Sequence, residues 1–167
     1  LPQAMQNRYV QPYYEQLQGR QIQLTAKRVL DIMVSGTLLF LLSPLMLGIG
    51  AAVVADSPGS PVFLQRRVTQ YGRCFRIIKF RTMHVGAAGA AVTQANDPRI
   101  TRLGRLLRKT KLDELPQLFN VLCGDMTLVG PRPELPRLVR CYDKRAAAVL
   151  LLPAGMTGEA SVRFRDE

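Results

Sequence analysis

One uncharged apolar run, Ile32 to Ala55, constrains this chain more than any other feature of its sequence. As a helix that rises 1.5 Å per residue, its 24 residues would extend ~36 Å, and the hydrocarbon core of a bilayer is ~30 Å thick. The alternative is a buried helix of a soluble protein. We interpret the run as a segment that enters a membrane.

The dipeptide Ser43-Pro44 lies in the middle of this run. Proline lacks a backbone donor and clashes with the preceding turn, so a helix must kink or break there. A kinked spanning helix and a broken helix that turns back both fit the hydropathy. Basic pairs stand on both sides, Lys27-Arg28 before the run and Arg66-Arg67 after it, and basic flanks favour the cytoplasm. This symmetry favours a re-entrant hairpin, in which Ser43 satisfies freed backbone groups.

The segment after the run predicts a small β-hairpin followed by helices. The stretches VFLQRRV and CFRIIKFRTM are joined by TQYGR, which suits two antiparallel strands. Residues 84–97 are small and loop-like, and we expect either a plain loop or a lid. The next helix is predicted to begin with Asp97 as its cap and Pro98 at its first position.

That predicted helix has Ile100, Leu103 and Leu107 on one face and basic residues around them. It suits the headgroup layer of an anionic membrane, or a core-packed position with solvated arginines. PQLFNVL predicts a second short helix that Gly124 ends, and the Pro-rich stretch from residue 130 precedes a further basic helix. The expected fold class is therefore α+β and mainly helical.

The charge balance indicates an anionic partner. Lys and Arg number 23 against 12 Asp and Glu, a formal charge of +11, which fits nucleic acid, phospholipid headgroups or a phosphorylated substrate. The three cysteines have no CxxC spacing and argue against a disulfide framework or a zinc site. The single His84 cannot build a histidine metal cluster.

The stretch KTKLDELPQLFN places Asp113 and Glu114 side by side in a basic region, two residues ahead of Pro116. At a helix start, exposed N–H groups and the helix dipole favour negative charge, so the pair could simply cap a helix. An ionised Asp is also a competent nucleophile toward phosphorus, and an adjacent Glu could hold Mg²⁺ beside substrate phosphates. The residues alone leave both interpretations open.

From Lys27 to Val162 the chain resembles the monotopic phosphoglycosyl transferases, the bacterial sugar transferases that start glycan assembly. The resemblance rests on KRVLDI, the apolar run with its SP, KFRTM, the long stretch DPRITRLGRLLRKTKLDELPQLFNVLCGDMTLVGPRPE, and GMTGEASV. It implies three regions: an N-terminal linker or approach helix (1–26), a re-entrant membrane hairpin (27–56), and a cytoplasmic catalytic region (57–167) that is incomplete at its C-terminus.

The resemblance implies a reaction on the cytoplasmic face of the bacterial inner membrane. Asp113 would attack the β-phosphate of a UDP-sugar, release UMP and carry the phosphosugar covalently. Undecaprenyl phosphate would then accept it, giving a polyprenyl-diphosphate sugar for a polysaccharide such as an exopolysaccharide. Glu114 would hold Mg²⁺. The remaining implied site residues would bind the donor or its phosphates, with Asp125 the less certain: Lys79, Arg108, Asp125, Pro131, Arg132 and Pro133.

Membrane phospholipids are further expected partners, and a homodimer is left open. Two rival hypotheses remain. A nucleic-acid-binding protein would explain the charge, but none of its sequence signatures is present, and we expect no nucleic acid partner. A non-enzymatic scaffold on the membrane would use the basic helices to hold anionic lipid, and Asp113 would only cap a helix.

Overall fold

A computed structural model of the chain describes residues 1–86 and 97–158. Two short helical segments precede the long one: a 3-10 helix Gln3–Met5 and α1 (Gln11–Gln18). The long helix α2 covers Gln21–Asp56. The N-terminal residues are thus helical, and Met5 and Val10 pack against Leu151 near the end of the described chain.

Helix α2 runs without interruption through Pro44, so the expectation of two arms separated by a break at Ser43-Pro44 is not met. The carbonyl that Pro44 leaves without its usual N–H donor is that of Phe40, four residues earlier. The Ser43 hydroxyl donates to this carbonyl oxygen at 2.8 Å. The Ser43 hydroxyl therefore supplies the hydrogen bond that proline cannot make, as predicted. The segment remains helical with this side-chain bond in place of the backbone one.

The length and composition of α2 are sufficient to cross a membrane. Only 11% of its most apolar 18-residue stretch is buried, unlike the core helix of a soluble protein. Phe40 is 80% exposed and Leu47 is 76% exposed. Such a surface needs an apolar covering.

The predicted β-hairpin is present. Strand β1 (Val62–Val68) pairs antiparallel with β2 (Cys74–Phe80), from Val62 opposite Phe80 to Val68 opposite Cys74. Phe75 and Ile77 of β2 pack with Val121 and Met126 in one hydrophobic cluster.

Helix α3 covers Arg102–Thr110, so the prediction that Asp97 caps it with Pro98 at its first position is wrong. Ile100 is held in a bridge to Met83, which keeps residues before 101 out of the helix. Thr101 is the actual cap, and its hydroxyl oxygen accepts from the Gly104 N–H at 2.8 Å. A Cβ on Gly104 would lie 2.2 Å from the Thr82 carbonyl oxygen, so only glycine allows this close approach.

The apolar face of α3 is packed inside the protein. Leu107 is buried with Phe80, Ile49 and Val53, and Leu103 packs against the same cluster. This contact supports the core-packed interpretation for that face. Residues 87–96, which include most of the predicted loop or lid, lie outside the described residues.

The second half of the chain contains elements that the sequence pattern did not reveal. A 3-10 helix Leu112–Glu114 precedes α4 (Gln117–Cys123), and Gly124, with φ 90°, ends α4 as predicted. Strands β3 (Met126–Val129) and β4 (Ala154–Thr157) then pair in parallel. The predicted basic helix after the Pro-rich stretch is instead two short pieces, α5 (Pro136–Val139) and a 3-10 helix Ala146–Leu151. The mainly helical α+β class is confirmed.

Candidate active site

The Asp113–Glu114 pair lies in a tight turn between α3 and α4. Lys111 ends α3 in the left-handed conformation, with φ 60°, and the 3-10 helix Leu112–Glu114 follows at once. The flanking side chains Leu112 and Leu115 pack against the cluster around Phe80. Because these apolar anchors stand on both sides of the pair, the two carboxylates are held between them in a defined orientation.

Asp113 is 8% exposed, and its Oδ1 atom is buried with no hydrogen-bond partner among the described residues. Burial raises the pKa of the Asp113 carboxyl, and the neighbouring charge of Glu114 raises it further. Lys79 and Arg108 act in the opposite direction without cancelling the effect. The sequence predicted an ionised carboxylate at a helix start and gave no indication of its burial, so the buried, unpaired oxygen is a finding of the structure.

Glu114 is held by Lys79. The Lys79 Nζ atom lies 2.7 Å from Glu114 Oε1, and the two side chains are only 20% and 21% exposed. Burial alone would raise the pKa of the Glu114 carboxyl, but the charge and hydrogen bond of Lys79, with Arg132 and Lys111 adding to them, lower it overall. The two adjacent carboxyls therefore have pKa values shifted in opposite directions, an arrangement typical of functional sites.

Two arginines bring further positive charge to the pair. Arg108 is half-buried near the end of α3, and its Nε donates to Thr82 Oγ1 at 2.8 Å. Arg132 is exposed on the loop after β3, and its charge lowers the pKa of Glu114. The predicted residues Lys79, Arg108 and Arg132 thus all act electrostatically on the carboxylate pair.

Pro131 and Pro133 contribute to the site through their backbone carbonyl groups. The Pro131 carbonyl oxygen accepts from the Gly155 N–H at 2.7 Å, which ties the loop to β4. The Pro133 carbonyl oxygen accepts from Arg67 Nη1 at 3.2 Å. These bonds fix the loop that carries Arg132, and they give the two prolines a positioning role.

Arg67 is a residue that the sequence reasoning missed. It is half-buried, and it donates to Gln65 Oε1 as well as to Pro133. Burial lowers the pKa of the Arg67 guanidinium, and its charge interacts with Arg132 and Glu114. Arg67 could have been found from the alternation of side chains between the two faces of the predicted hairpin. The register places Arg67 and Lys79 on the same face.

Asp125 lies apart from this group. Its Oδ1 accepts from Arg73 Nη1 at 2.9 Å, and its carbonyl oxygen accepts from Thr69. Asp125 is not one of the main charges that shift the pKa of either dyad carboxyl. The structure therefore gives it a role in holding the hairpin turn against the start of β3.

A second group that sequence reasoning missed ties α2 to α4 and β3. Asp31, 5% exposed, accepts from Thr127 and from the Leu128 N–H, and it is paired with Lys27 at 3.2 Å. Arg28 donates to the Val121 carbonyl oxygen at 2.6 Å. The only visible signal was the charged residue Asp31 at the edge of the apolar run.

The structure thus combines two features. One is a pair of adjacent carboxylates on which lysine and arginine charges act, and the other is a long apolar helix that packs against the residues flanking this pair. The chain belongs to the bacterial sugar transferase family, whose sequence pattern matches residues 22–167. This match confirms the resemblance found in the sequence.

Three similar proteins are identical to this chain at 40% to 46% of the aligned residues. A UDP-glucose:undecaprenyl-phosphate glucose-1-phosphate transferase of Caulobacter vibrioides is 46% identical over 82% of this chain and 53% of its own length. A UDP-N-acetylgalactosamine-undecaprenyl-phosphate N-acetylgalactosaminephosphotransferase of Aeromonas hydrophila is 43% identical over 81% of this chain and 33% of its own length. An exopolysaccharide production protein of Rhizobium leguminosarum bv. phaseoli is 40% identical over 84% of this chain and 74% of its own length. The chain thus spans about a third to a half of the first two relatives.

Proposed function

We propose that the chain carries the catalytic site of a phosphoglycosyl transferase, which moves a sugar-1-phosphate from a UDP-sugar to undecaprenyl phosphate through a covalent intermediate on Asp113. The observation that carries this proposal is the buried Asp113 Oδ1, which has no partner among the described residues, in a carboxyl on which the charges of Lys79 and Arg108 act. A capping carboxylate would use its oxygens on backbone N–H groups. The Asp113 Oδ1 atom has no such donor among the described residues, although a backbone hydrogen bond within the residue acts to lower the pKa of its carboxyl.

In the first step, an Asp113 oxygen bonds to the β-phosphorus of the UDP-sugar, and the bond from that phosphorus to the bridging oxygen breaks. The electron pair leaves with UMP, and the phosphosugar stays on Asp113 as an acyl phosphate. Arg108 and Arg132 suit the diphosphate, because guanidinium groups donate paired hydrogen bonds to phosphate oxygens. The Lys79–Glu114 pair keeps Glu114 ionised next to the reacting carboxylate.

In the second step, a phosphate oxygen of undecaprenyl phosphate bonds to the same phosphorus. The bond between phosphorus and the Asp113 oxygen breaks, which restores the carboxylate and yields undecaprenyl-diphosphate sugar. The acceptor phosphate is already an anion, so this ping-pong sequence needs no separate histidine base.

Mg²⁺ fits the donor set present. The described residues contain no group of three or more His, Cys, Asp or Glu that could hold a metal on their own. Mg²⁺ is, however, commonly bound by one or two carboxylates together with substrate phosphates. Glu114 has a second oxygen beyond the one that Lys79 contacts, and it would be the protein ligand. Bound there, the ion would neutralise charge on the transferring phosphoryl group.

We further propose that α2 enters the cytoplasmic leaflet of the bacterial inner membrane and returns, with the site on the cytoplasmic face. The support is the exposed apolar surface of α2, the proline in its centre and the basic residues on both sides. Re-entry would take the form of a bend within one continuous helix. Anionic phospholipids would be contacted by the basic residues.

The test is mass spectrometry of the full-length protein in detergent, mixed with Mg²⁺ and a panel of UDP-sugars. A panel is needed because relatives of similar identity are named for glucose and for N-acetylgalactosamine. We expect one sugar-phosphate mass on the peptide that contains Asp113, and its loss when undecaprenyl phosphate is added. Asp113→Asn should abolish the adduct. Asp56→Asn, which alters an exposed carboxylate at the end of α2, is the matched control and should retain it.

The outcomes separate the alternatives. Lipid-linked product without any adduct would mean direct transfer and would remove the covalent role of Asp113. Neither adduct nor product with any UDP-sugar would refute the proposed reaction and favour the scaffold hypothesis.

A further inference from the structure

Thr82 connects the end of the β-hairpin to both ends of α3. It is buried, 6% exposed, and lies two residues after Phe80, where β2 ends. The Thr82 carbonyl oxygen accepts from the Thr101 N–H at 3.1 Å, at the start of α3. Its hydroxyl oxygen accepts from Arg108 Nε at 2.8 Å, about two helical turns further along. One buried residue therefore holds both the start of the helix and a cationic side chain near the end of the helix.

The position of Thr82 is fixed by its packing against α3. The backbones approach so closely that a Cβ on Gly104 would lie 2.2 Å from the Thr82 carbonyl oxygen. The next residue, Met83, is held in a bridge to Ile100. Threonine is also restricted at χ1, because its side chain branches at Cβ. The Thr82 hydroxyl is therefore a preorganised acceptor.

The Thr82 hydroxyl occupies one side of the Arg108 guanidinium and leaves the other side open. Nε donates to Thr82, and within the described residues the N–H groups on Nη1 and Nη2 have no hydrogen-bond acceptor. Arg108 is nonetheless half-buried, and its charge lowers the pKa of the Asp113 carboxyl. The Nε–H bond lies in the plane of the guanidinium, so the contact with Thr82 fixes that plane. The two Nη groups then form a fork of the kind that binds phosphate oxygens.

We propose that Thr82 is a positioning residue for phosphoryl transfer: its hydroxyl holds Arg108 at Nε, so that both Nη groups face the diphosphate of the UDP-sugar beside Asp113. The inference rests on the proposed function and extends it to a residue outside the dyad and its cations. An arginine side chain is long and flexible, and ordering it when the donor arrives costs free energy. Thr82 orders it in advance. The competing explanation is that this hydrogen bond only stabilises α3 against the hairpin.

The test separates the Thr82 hydroxyl from the rest of the side chain. Thr82→Val keeps the shape and removes the acceptor, whereas Thr82→Ser keeps the acceptor. Thr101→Val is the matched control, because Thr101 is also a buried threonine, 5% exposed, whose hydroxyl oxygen accepts from α3 at the Gly104 N–H rather than from Arg108. Each full-length protein in detergent is mixed with Mg²⁺ and a subsaturating amount of the UDP-sugar that forms the Asp113 adduct. The rate of adduct formation is followed in single turnovers by mass spectrometry.

We expect Thr82→Val to form the adduct roughly 10-fold to 100-fold more slowly, because a hydrogen bond to a charged group is lost. Thr82→Ser should restore most of the rate. Thr101→Val should lower the Tm through loss of the helix cap but keep the unsubstituted rate well below that Tm. An unchanged rate in Thr82→Val, or an equal loss in Thr82→Ser or Thr101→Val, would overturn the inference.

A double-mutant cycle shows whether Thr82 acts through Arg108. Arg108→Lys keeps the charge and with it a measurable rate, but lysine has no Nε–H that Thr82 could hold while further donors face a phosphate. In the Arg108→Lys background, Thr82→Val should therefore cost little or nothing. The same fold-loss in both backgrounds would mean that Thr82 acts independently of Arg108, and it would overturn the inference.

A measurement on the unsubstituted protein covers the case in which Thr82→Val fails to fold. In NMR spectra with isotope-labelled arginine, the Nε–H resonance that is missing from Arg108→Lys belongs to Arg108. Its exchange with solvent should be slow before any nucleotide is added, and the Nη groups should become protected when UDP and Mg²⁺ are added. Fast Nε–H exchange, or Nη groups that do not respond to UDP, would overturn the inference. Absence of any adduct on the unsubstituted protein with every UDP-sugar would refute the proposed function itself, and the inference with it.

Discussion

Replacing Lys79 with methionine is the most informative single perturbation of the site. Methionine keeps an unbranched apolar side chain of similar length but removes the ammonium group that lies 2.7 Å from Glu114 Oε1. Lys79 lowers the pKa values of both Asp113 and Glu114. Its loss should therefore raise both pKa values, because burial then acts with less opposition.

The size of the effect follows from the contact that is lost. Both side chains are about four-fifths buried, so solvent screens the pair less than it screens a surface salt bridge. A hydrogen bond to a charged group contributes about 1.5–3 kcal/mol. If that energy is lost from the ionised site, the rate constant for adduct formation near neutral pH should fall about 10-fold to 150-fold.

The assay is the rate of Asp113 adduct formation in single turnovers across a pH series. The nucleophile must be ionised, so the rate falls as the pH drops through the pKa of Asp113, which burial already raises. In Lys79→Met this acid limb should move to higher pH, and part of the lost rate should return at alkaline pH. The apparent affinity for the UDP-sugar should change less than the rate.

Lys109→Met is the matched control, because Lys109 is exposed on α3 and is not one of the main charges that shift the pKa of either dyad carboxyl. It removes the same charge and should leave the acid limb in place. A uniform loss of rate at every pH in Lys79→Met, with an unmoved limb, would refute the reasoning and make Lys79 a substrate contact only.

The remaining predictions concern the donor contact, the buried nucleophile and the membrane helix. Arg132→Lys should raise the KM for the UDP-sugar about tenfold although the charge is kept, because a planar fork binds phosphate differently from an ammonium; unchanged kinetics would exclude Arg132 from the site. Asp113→Asn should raise the Tm at neutral pH, because a carboxyl whose pKa is raised in the folded state destabilises that state once it ionises. The gain in Tm should vanish at acid pH, where the Asp113 carboxyl is protonated. A lower Tm at neutral pH would contradict this reasoning. In a variant with Cys74, Cys123 and Cys141 replaced by serine, Arg20→Cys and Ser60→Cys should both be labelled from the cytoplasm, and periplasmic labelling of either would show a spanning helix.

The parts of the fold that sequence predicted well were those with strong local signals. The β-hairpin has β-branched and aromatic strands around a turn, and α4 ends at Gly124, whose positive φ is difficult for other residues. Ser43 was expected to satisfy a backbone group, and it does. In each case neighbouring residues alone determine the conformation.

The errors arose where distant contacts override local preference. Asp97-Pro98 is a good local helix start, but the bridge between Ile100 and Met83 delays α3 until Arg102. Strands β3 and β4 are four residues each and pair across a long connection, so their pattern is too short to detect. The partner of Asp125 is likewise set by the hairpin turn, through Arg73.

In the candidate site, too, some features follow from local sequence and others from distant contacts. The dyad and its cations were named from the resemblance, and the structure brings Lys79, Arg108 and Arg132 into electrostatic reach of it. The burial that leaves Asp113 Oδ1 unpaired was not foreseen, because it depends on the packing of the turn against Phe80. Local sequence specifies the chemical groups, whereas tertiary packing sets their pKa values.

The two attachments of α2 have a consequence for how a lipid-borne phosphate could reach the dyad. Near its start, Arg28 and Asp31 are bonded to α4 and β3, and near its end, Ile49 and Val53 are packed against Phe80 and Leu107. The exposed apolar residues lie between and around these contacts. Because the helix is fixed to the rest of the fold near both ends, its depth in a bilayer would also fix the depth of the dyad. An acceptor held along the same helix would then present its phosphate at that depth, without requiring the lipid to leave the membrane.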